Sequence, residues 1–235
     1  MAARQRLAAR RVAPGRVRSA DSLFPVTAAG AVARFLDALG LPGDVRGSPE
    51  LAGTPRRVAE AWLGDLVDGY RQDPAHLLAE AAPSGSRDLV VLTGIEYHSV
   101  CPHHLLPSRG VAHVGYLPGG KLAGFGQLVR VLDALAHRLV LQEDLARQVA
   151  RALVEHLGAR GAACLLEAEH LCLSVRGERR AGARAHAEAF EGALAREGAA
   201  RRRFLAAIAR ATRPWARAGP SRARARARRR SRGER

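Results

Sequence analysis

The chain has 235 residues, 47% of them apolar, enough for one sizeable packed domain with tails. No apolar run approaches the ~20 residues that span a bilayer, and the N-terminus lacks the hydrophobic stretch of a secretory signal, so no membrane partner is expected. The net charge of +16 points to nucleic acid only until it is located: residues 1–20 carry six Arg and no acid, residues 201–235 carry fourteen Arg and one Glu, and residues 21–200 are left near −3.

In chain order, residues 1–22 read as a disordered basic extension, although a transit peptide has the same Arg-rich, acid-free composition. Val32, Phe35, Leu36 and Leu39 fall at helical spacing, with Gly40 as the stop. Thr54-Pro55 marks a helix start, with Thr54 as cap and Val58, Trp62, Leu66 and Val67 on one face. Residues 72–87 read partly as loop. Residues 88–97 and 110–117 read as paired strands. Residues 127–158 read as two helices, the second starting near Glu143 and ending at Gly158. Residues 163–176 read as the last clear strand. The remainder, residues 201–235, reads as a low-complexity basic tail, mostly disordered. Helices, a strand pair, two helices and a strand suggest an α+β fold with an antiparallel sheet rather than a βαβ alternation. No Gly-rich phosphate loop is present.

The three cysteines, Cys101, Cys164 and Cys172, are too few and too odd in number for a disulfide framework. Reduced thiols in a cytoplasmic protein fit better, and these are available to a metal. Cys101 and His104 are three apart, so one turn presents both to a single ion. If residues 163–176 are a strand, His170, Cys172, Ser174 and Arg176 share a face opposite Leu171, Leu173 and Val175. Cys101, His104 and Cys172 then form a zinc ligand set with an open fourth position, as in catalytic sites. His103 and His170 remain as imidazoles for proton transfer. Two other readings stay open: Cys172 as an ordinary buried thiol, and Cys101 with His104 as half of a structural site closed by His103 or His98. Cys164, among Ala163, Leu165 and Leu166, reads as core. A carboxylate such as Glu143 at a helix start is most often a dipole feature.

These residues resemble a known family. Cys101-Pro102-His103-His104-Leu105-Leu106-Pro107 is similar to the Cys-Glu-His-His-Leu-Leu-Pro signature of GTP cyclohydrolase I. Thr54-Pro55-Arg56-Arg57-Val58-Ala59, residues 110–118, Gln142-Glu143-x-Leu145 and His170-x-Cys172-x-x-x-Arg176-Gly177 resemble further motifs of that family in the same order. The resemblance covers residues 30–195, within a catalytic domain expected over 23–200. It implies the tunnelling fold, or T-fold, in which subunit sheets join into a barrel. It also implies a homo-oligomer, a decamer built as a dimer of pentamers. The implied reaction is the zinc-dependent hydrolysis and rearrangement of GTP to 7,8-dihydroneopterin triphosphate and formate, the first step of tetrahydrofolate and pterin biosynthesis. Residue by residue, the resemblance implies Zn2+ on Cys101, His104 and Cys172, and proton transfer by His103 with His170 assisting. It implies substrate binding by Gln142 and Glu143, with Glu143 on the guanine edge, and by Arg130 and Arg176 on the triphosphate.

The departures are specific. Pro102 stands where the family has Glu, Gly126-Gln127 where it has Ser-Lys, and residues 178–188 offer Arg179, Arg180 and Arg184 where it has hydroxyls. They motivate an alternative, a T-fold zinc paralogue acting on a different purine or pterin. A third reading, a zinc-stabilised nucleic-acid module using the Arg-rich tails, is opposed by the non-basic core and by only ten Phe, Trp and Tyr residues. No specific nucleic-acid partner is expected.

Overall fold

The computed structural model describes residues 27–211. The expected N-terminal extension and most of the expected C-terminal tail therefore lie outside the described residues. The described residues divide into two compact units, one up to Gly64 and one from Asp65 onward.

In the first unit, α1 (Ala28–Ala38) is capped by Thr27, whose Oγ1 accepts from the Gly30 amide at 3.1 Å. Two single-turn helices follow, α2 (Gly43–Arg46) and α3 (Pro49–Ala52), then α4 (Thr54–Ala61), which packs on α1. Thr54 is not the cap expected of it. It is the first helical residue, Gly53 occupies the cap, and the Thr54 hydroxyl donates back to the Glu50 carbonyl at 3.3 Å. The face predicted from Val58 through Val67 is also interrupted, because the helix widens into a π turn at Trp62–Leu66.

The second unit begins with a 3-10 turn at Asp68–Arg71 and α5 (Pro74–Ala79), which opens with Asp73 accepting from the Ala75 amide and Pro74 at its first position. A two-residue strand β1 (Ala82–Pro83) precedes the long strands β2 (Val90–Val100) and β3 (Pro107–Leu117). The short β4 (Lys121–Leu122) pairs with β1. Helices α6 (Phe125–Ala136) and α7 (Gln142–Glu155) follow, then β5 (Gly161–His170), the single turn α8 (Leu171–Ser174), β6 (Ala185–Gly192) and α9 (Ala199–Ala211). The main sheet has four strands in the order β2-β3-β5-β6, every neighbouring pair antiparallel. Antiparallel α+β is the class read from the sequence.

One face of the sheet buries Ile95, Tyr97, Val114, Tyr116, Cys164 and Leu166 against the apolar stripes of α6 and α7, such as Leu128, Leu132, Leu145 and Leu153. Cys164 is core, as its neighbours suggested. A smaller cluster centres on Phe204 and Ile208 of α9, with Ala163, Leu194, Leu165 and Phe190. That helix occupies the start of the stretch read as tail: Phe204 and Ile208 are four apart and both buried, so its Arg residues flank a docked apolar stripe. Gly115 makes room for it, since a Cβ there would stand 2.6 Å from the Phe204 ring.

The expected strand over residues 163–176 ends at His170. Its partner β3 begins at Pro107, and the last pair of the ladder is Ser108 with His170. Beyond that point no strand offers hydrogen bonds, so the backbone satisfies itself by coiling into α8.

No helix among the described residues is long and apolar enough to cross a membrane. Phe204 is fully buried, so Phe204→Ala is expected to lower unfolding free energy by about 3–5 kcal/mol. Arg147→Ala, which removes an exposed ion pair to Asp144, is expected to change it by less than about 1 kcal/mol. Denaturant midpoints of equal size for the two variants would contradict the docked-helix assignment.

Candidate metal centre and cleft

Between β2 and β3 the chain makes a closed turn. The Cys101 amide donates to the Leu106 carbonyl and the Leu105 amide to the Cys101 carbonyl, both at 2.9 Å. Leu105 takes a left-handed backbone, φ 53°, an unusual conformation for a branched residue that the two bonds hold in place. Pro102 fixes one φ of this turn. The turn sets Cys101 Sγ 3.7 Å from His104 Nδ1. On the far side of β3, α8 brings Cys172, and the three donor atoms of Cys101, His104 and Cys172 all lie within 4.8 Å of one another. Among the described residues this is the group that could hold a metal ion. The geometry differs from the expected one in one respect: Cys172 reaches the group from a helical turn, not from a strand face. Burial, and then the neighbouring Cys101 thiol, push the Cys172 thiol up. A thiol placed in this way resists ionisation, and a bound cation would reverse that balance.

A cleft of about 300 Å³ opens beside these ligands, lined by Cys101, His103, Gln142, Glu143, His170 and Cys172 among others. His103 is exposed on the metal turn and meets the His104 ring edge-on, centroids 6.1 Å apart. Glu143 stands in the first turn of α7, at its positive end.

Gln142 is only 7% exposed, and its amide bridges two strands. Nε2 donates to the Leu166 carbonyl of β5 and to the Ala185 carbonyl of β6, each at 3.0 Å. With both donors committed to carbonyls, Oε1 must be the atom that faces His170 Nε2 at 2.6 Å. His170 therefore donates through Nε2–H, and its Nδ1 is the acceptor of the neutral ring. Burial lowers the His170 pKa, with Glu143 opposing it, which favours that neutral form.

The structure thus gathers Cys101, His103, His104, Gln142, Glu143, His170 and Cys172 in one place. Arg130 is exposed on α6 and does not line the cleft. Arg176 lies just past α8, near enough to Cys172 to act on its thiol, but it too stays outside the lining. Ser174 does not share a strand face with Cys172, because both are in α8. Gln127 is engaged internally: Oε1 accepts from the Gly124 amide at 2.8 Å and Nε2 donates to the Leu77 carbonyl at 3.0 Å.

Among the polar lining residues, sequence reasoning gave no role to three, Tyr97, Ser99 and Ser108. Tyr97 and Ser99 alternate on β2 and so share a face, a period that was readable once the strand was extended to Val100. Tyr97 Oη and Ser99 Oγ are buried with no hydrogen-bond partner among the described residues.

Comparison with known proteins places this arrangement. The family profile of GTP cyclohydrolase I matches residues 28–209. The chain is similar to "GTP cyclohydrolase 1" of Chromobacterium violaceum, 48% identical over 157 residues, covering 67% of this chain and 76% of that protein. It is similar to the protein of the same name from Ralstonia nicotianae, 46% identical over 178 residues, 76% of this chain and 84% of the relative. The Corynebacterium glutamicum relative is 40% identical over 183 residues, covering 77% and 91%. With a match spanning nearly every described residue, the chain belongs to the GTP cyclohydrolase I family.

Proposed function

We propose that the chain hydrolyses and rearranges GTP to 7,8-dihydroneopterin triphosphate and formate, the entry step of tetrahydrofolate and pterin synthesis, with zinc as the metal. The observation that carries this reading is the meeting of three soft donors with two further imidazoles and Glu143 around one cleft. The donors fit zinc. With Zn–S near 2.3 Å and Zn–N near 2.0 Å, a tetrahedron has sulfur–nitrogen edges of about 3.5 Å, against the 3.7 Å between Cys101 Sγ and His104 Nδ1. Three protein ligands leave one position for water, and bound zinc supplies that water at neutral pH as a nucleophile.

The chain's own residues do the rest of the proposed chemistry. His103, exposed at the cleft, donates and accepts protons at the imidazole ring of the purine. His170 assists through Nδ1, its ring fixed by Gln142. Glu143 accepts from the guanine N–H edge, which adenine does not present. Arg130 and Arg176 are proposed for the triphosphate. Both lie outside the cleft of the single chain, which supports a site completed by neighbouring copies in a decameric ring of joined sheets. The outer edges of β2 and β6 suit such joining. The catalytic unit is proposed over residues 23–200 in a reducing cytoplasm, where Cys101 and Cys172 stay thiols.

One observation favours the paralogue reading: Gln127 replaces a cation and is occupied internally. A comparison of GTP with guanosine as substrate separates the two. The proposed reading predicts that GTP is turned over with release of formate and that guanosine is not. Equal turnover of both would move the assignment to a substrate without the phosphate tail.

His103→Ala is expected to lower kcat for GTP by about 10²–10⁴-fold while the metal content measured by atomic absorption stays at the wild-type level. A rate near wild type would remove His103 from the chemistry. Cys172→Ser should bind metal more weakly in competition with a chelator, and a variant as tight as wild type would refute the three-ligand set. Gln142→Leu leaves the His170 ring and two buried carbonyls without their partner, so it should cost about 1–3 kcal/mol in unfolding free energy. An unchanged midpoint would mean those bonds are not made.

A further inference from the structure

The connection between α6 and α7 determines where Gln142 and Glu143 stand, and it is fastened with unusual density. The Gly69 amide donates to the His137 carbonyl at 3.1 Å. Arg138 Nε donates to the carbonyls of Ala134 at 2.7 Å and Gly69 at 3.2 Å, and its terminal nitrogen donates to Gln72 at 3.0 Å. The Leu139 amide donates to the Tyr70 hydroxyl at 3.2 Å. Gly69 is required by closeness, because a Cβ there would meet the Ala134 and His137 carbonyl oxygens at 2.5 and 2.7 Å. These bonds fix the connection to the turn at Asp68–Arg71.

A separate line of side chains reaches the strand that ends in the metal turn. His137 Nδ1 donates to Asp68 Oδ1 at 2.8 Å. The His137 ring lies on the His98 ring, centroids 4.2 Å apart and planes 30° from parallel. His98 Nε2 donates to the Asp65 carbonyl at 3.4 Å. Two residues further along each segment, Val100 of β2 bridges Leu139. The half-buried Asp133 carboxyl lies beside the pair, raised by burial and pulled back by His137 and His98. From His98 the strand runs to Cys101. From His137 the connection runs through Val140 and Leu141, which line the cleft, to Gln142 and Glu143.

We propose that Asp68, His137 and His98 form a strut that sets the spacing between the metal-binding turn and the start of α7, and so positions the groups that recognise the purine. This rests on the reading of Gln142 and Glu143 as substrate-binding residues. The three are positioning residues: none lines the cleft, and each acts through the connection it holds. A clamp made of an aromatic stack and one charge-assisted hydrogen bond tolerates little change of length, so its loss displaces the α7 start relative to the metal turn rather than unfolding either.

The test uses full-length, metal-loaded protein with His98→Ala, His137→Ala, the double variant, Asp68→Ala and Asp68→Asn. Each alanine variant is expected to raise KM for GTP about tenfold with little change in kcat and unchanged metal content. The double variant should be no worse than the worse single, because one coupled contact is lost only once. Asp68→Asn, whose amide oxygen still accepts from His137 Nδ1, should stay nearer wild type than Asp68→Ala. Hydrogen exchange in peptides covering residues 139–145 should quicken in the alanine variants and not in Asp68→Asn. Wild-type KM in both single histidine variants, or losses that multiply in the double, would overturn the strut. Should wild-type protein turn over no GTP, the substrate reading fails by itself. The exchange measurement then decides the strut: quickened exchange upholds it and unchanged exchange removes it.

Discussion

β3 and β5 pair from Leu117 with Gly161 to Ser108 with His170, and antiparallel pairing sets the chain entering one strand beside the chain leaving the other. Cys101 and His104 sit just before β3, and Cys172 sits just after β5. The ladder's register is therefore what brings residues seventy positions apart to within 4.8 Å. A slip of one residue in either strand would carry its inward residues, Val114 of β3 or Cys164 and Leu166 of β5, out of the core, so the packing of α6 and α7 enforces the same register that the candidate ligands need.

Gln142 extends the constraint to the other side of the cleft. Its amide joins β5 and β6 through two carbonyls and holds His170 with its remaining oxygen. Every polar atom of that buried side chain is engaged, and each engagement fixes the next: the carbonyls fix the amide's orientation, and the amide fixes the tautomer of His170. Proton chemistry at His170, as proposed, would thus be set by backbone carbonyls two steps away.

The strong periodicities were legible. Leu145, Val149 and Leu153 give α7, and the apolar alternation in residues 110–117 gives most of β3. The ligand types and the three-residue spacing of Cys101 and His104 give the candidate centre. The bend after His170 was not legible, because a strand ends where its partner ends and that partner lies sixty residues upstream. β6 escaped notice because Ala187 and Ala189 occupy the inward positions where a strand signal would need branched side chains. α9 was hidden by its arginines, which outnumber the two residues, Phe204 and Ile208, that dock it. Gln127 looked like a lost phosphate contact in sequence. In the structure it fastens α5 to the start of α6, a role that only its partners reveal.

The three candidate ligands share a placement with a physical consequence: all lie in turns beyond strand ends, and none contributes to the ladders of the four-stranded sheet. Stability and metal occupancy are therefore largely separable in this chain. Where an ion is scarce, the sheet and its helices keep their own bonds, and an arriving ion meets donors that the turn's backbone hydrogen bonds and α8 already hold together. The candidate centre is thus a preformed receptor, laid out by backbone bonds that owe nothing to the ion it could capture.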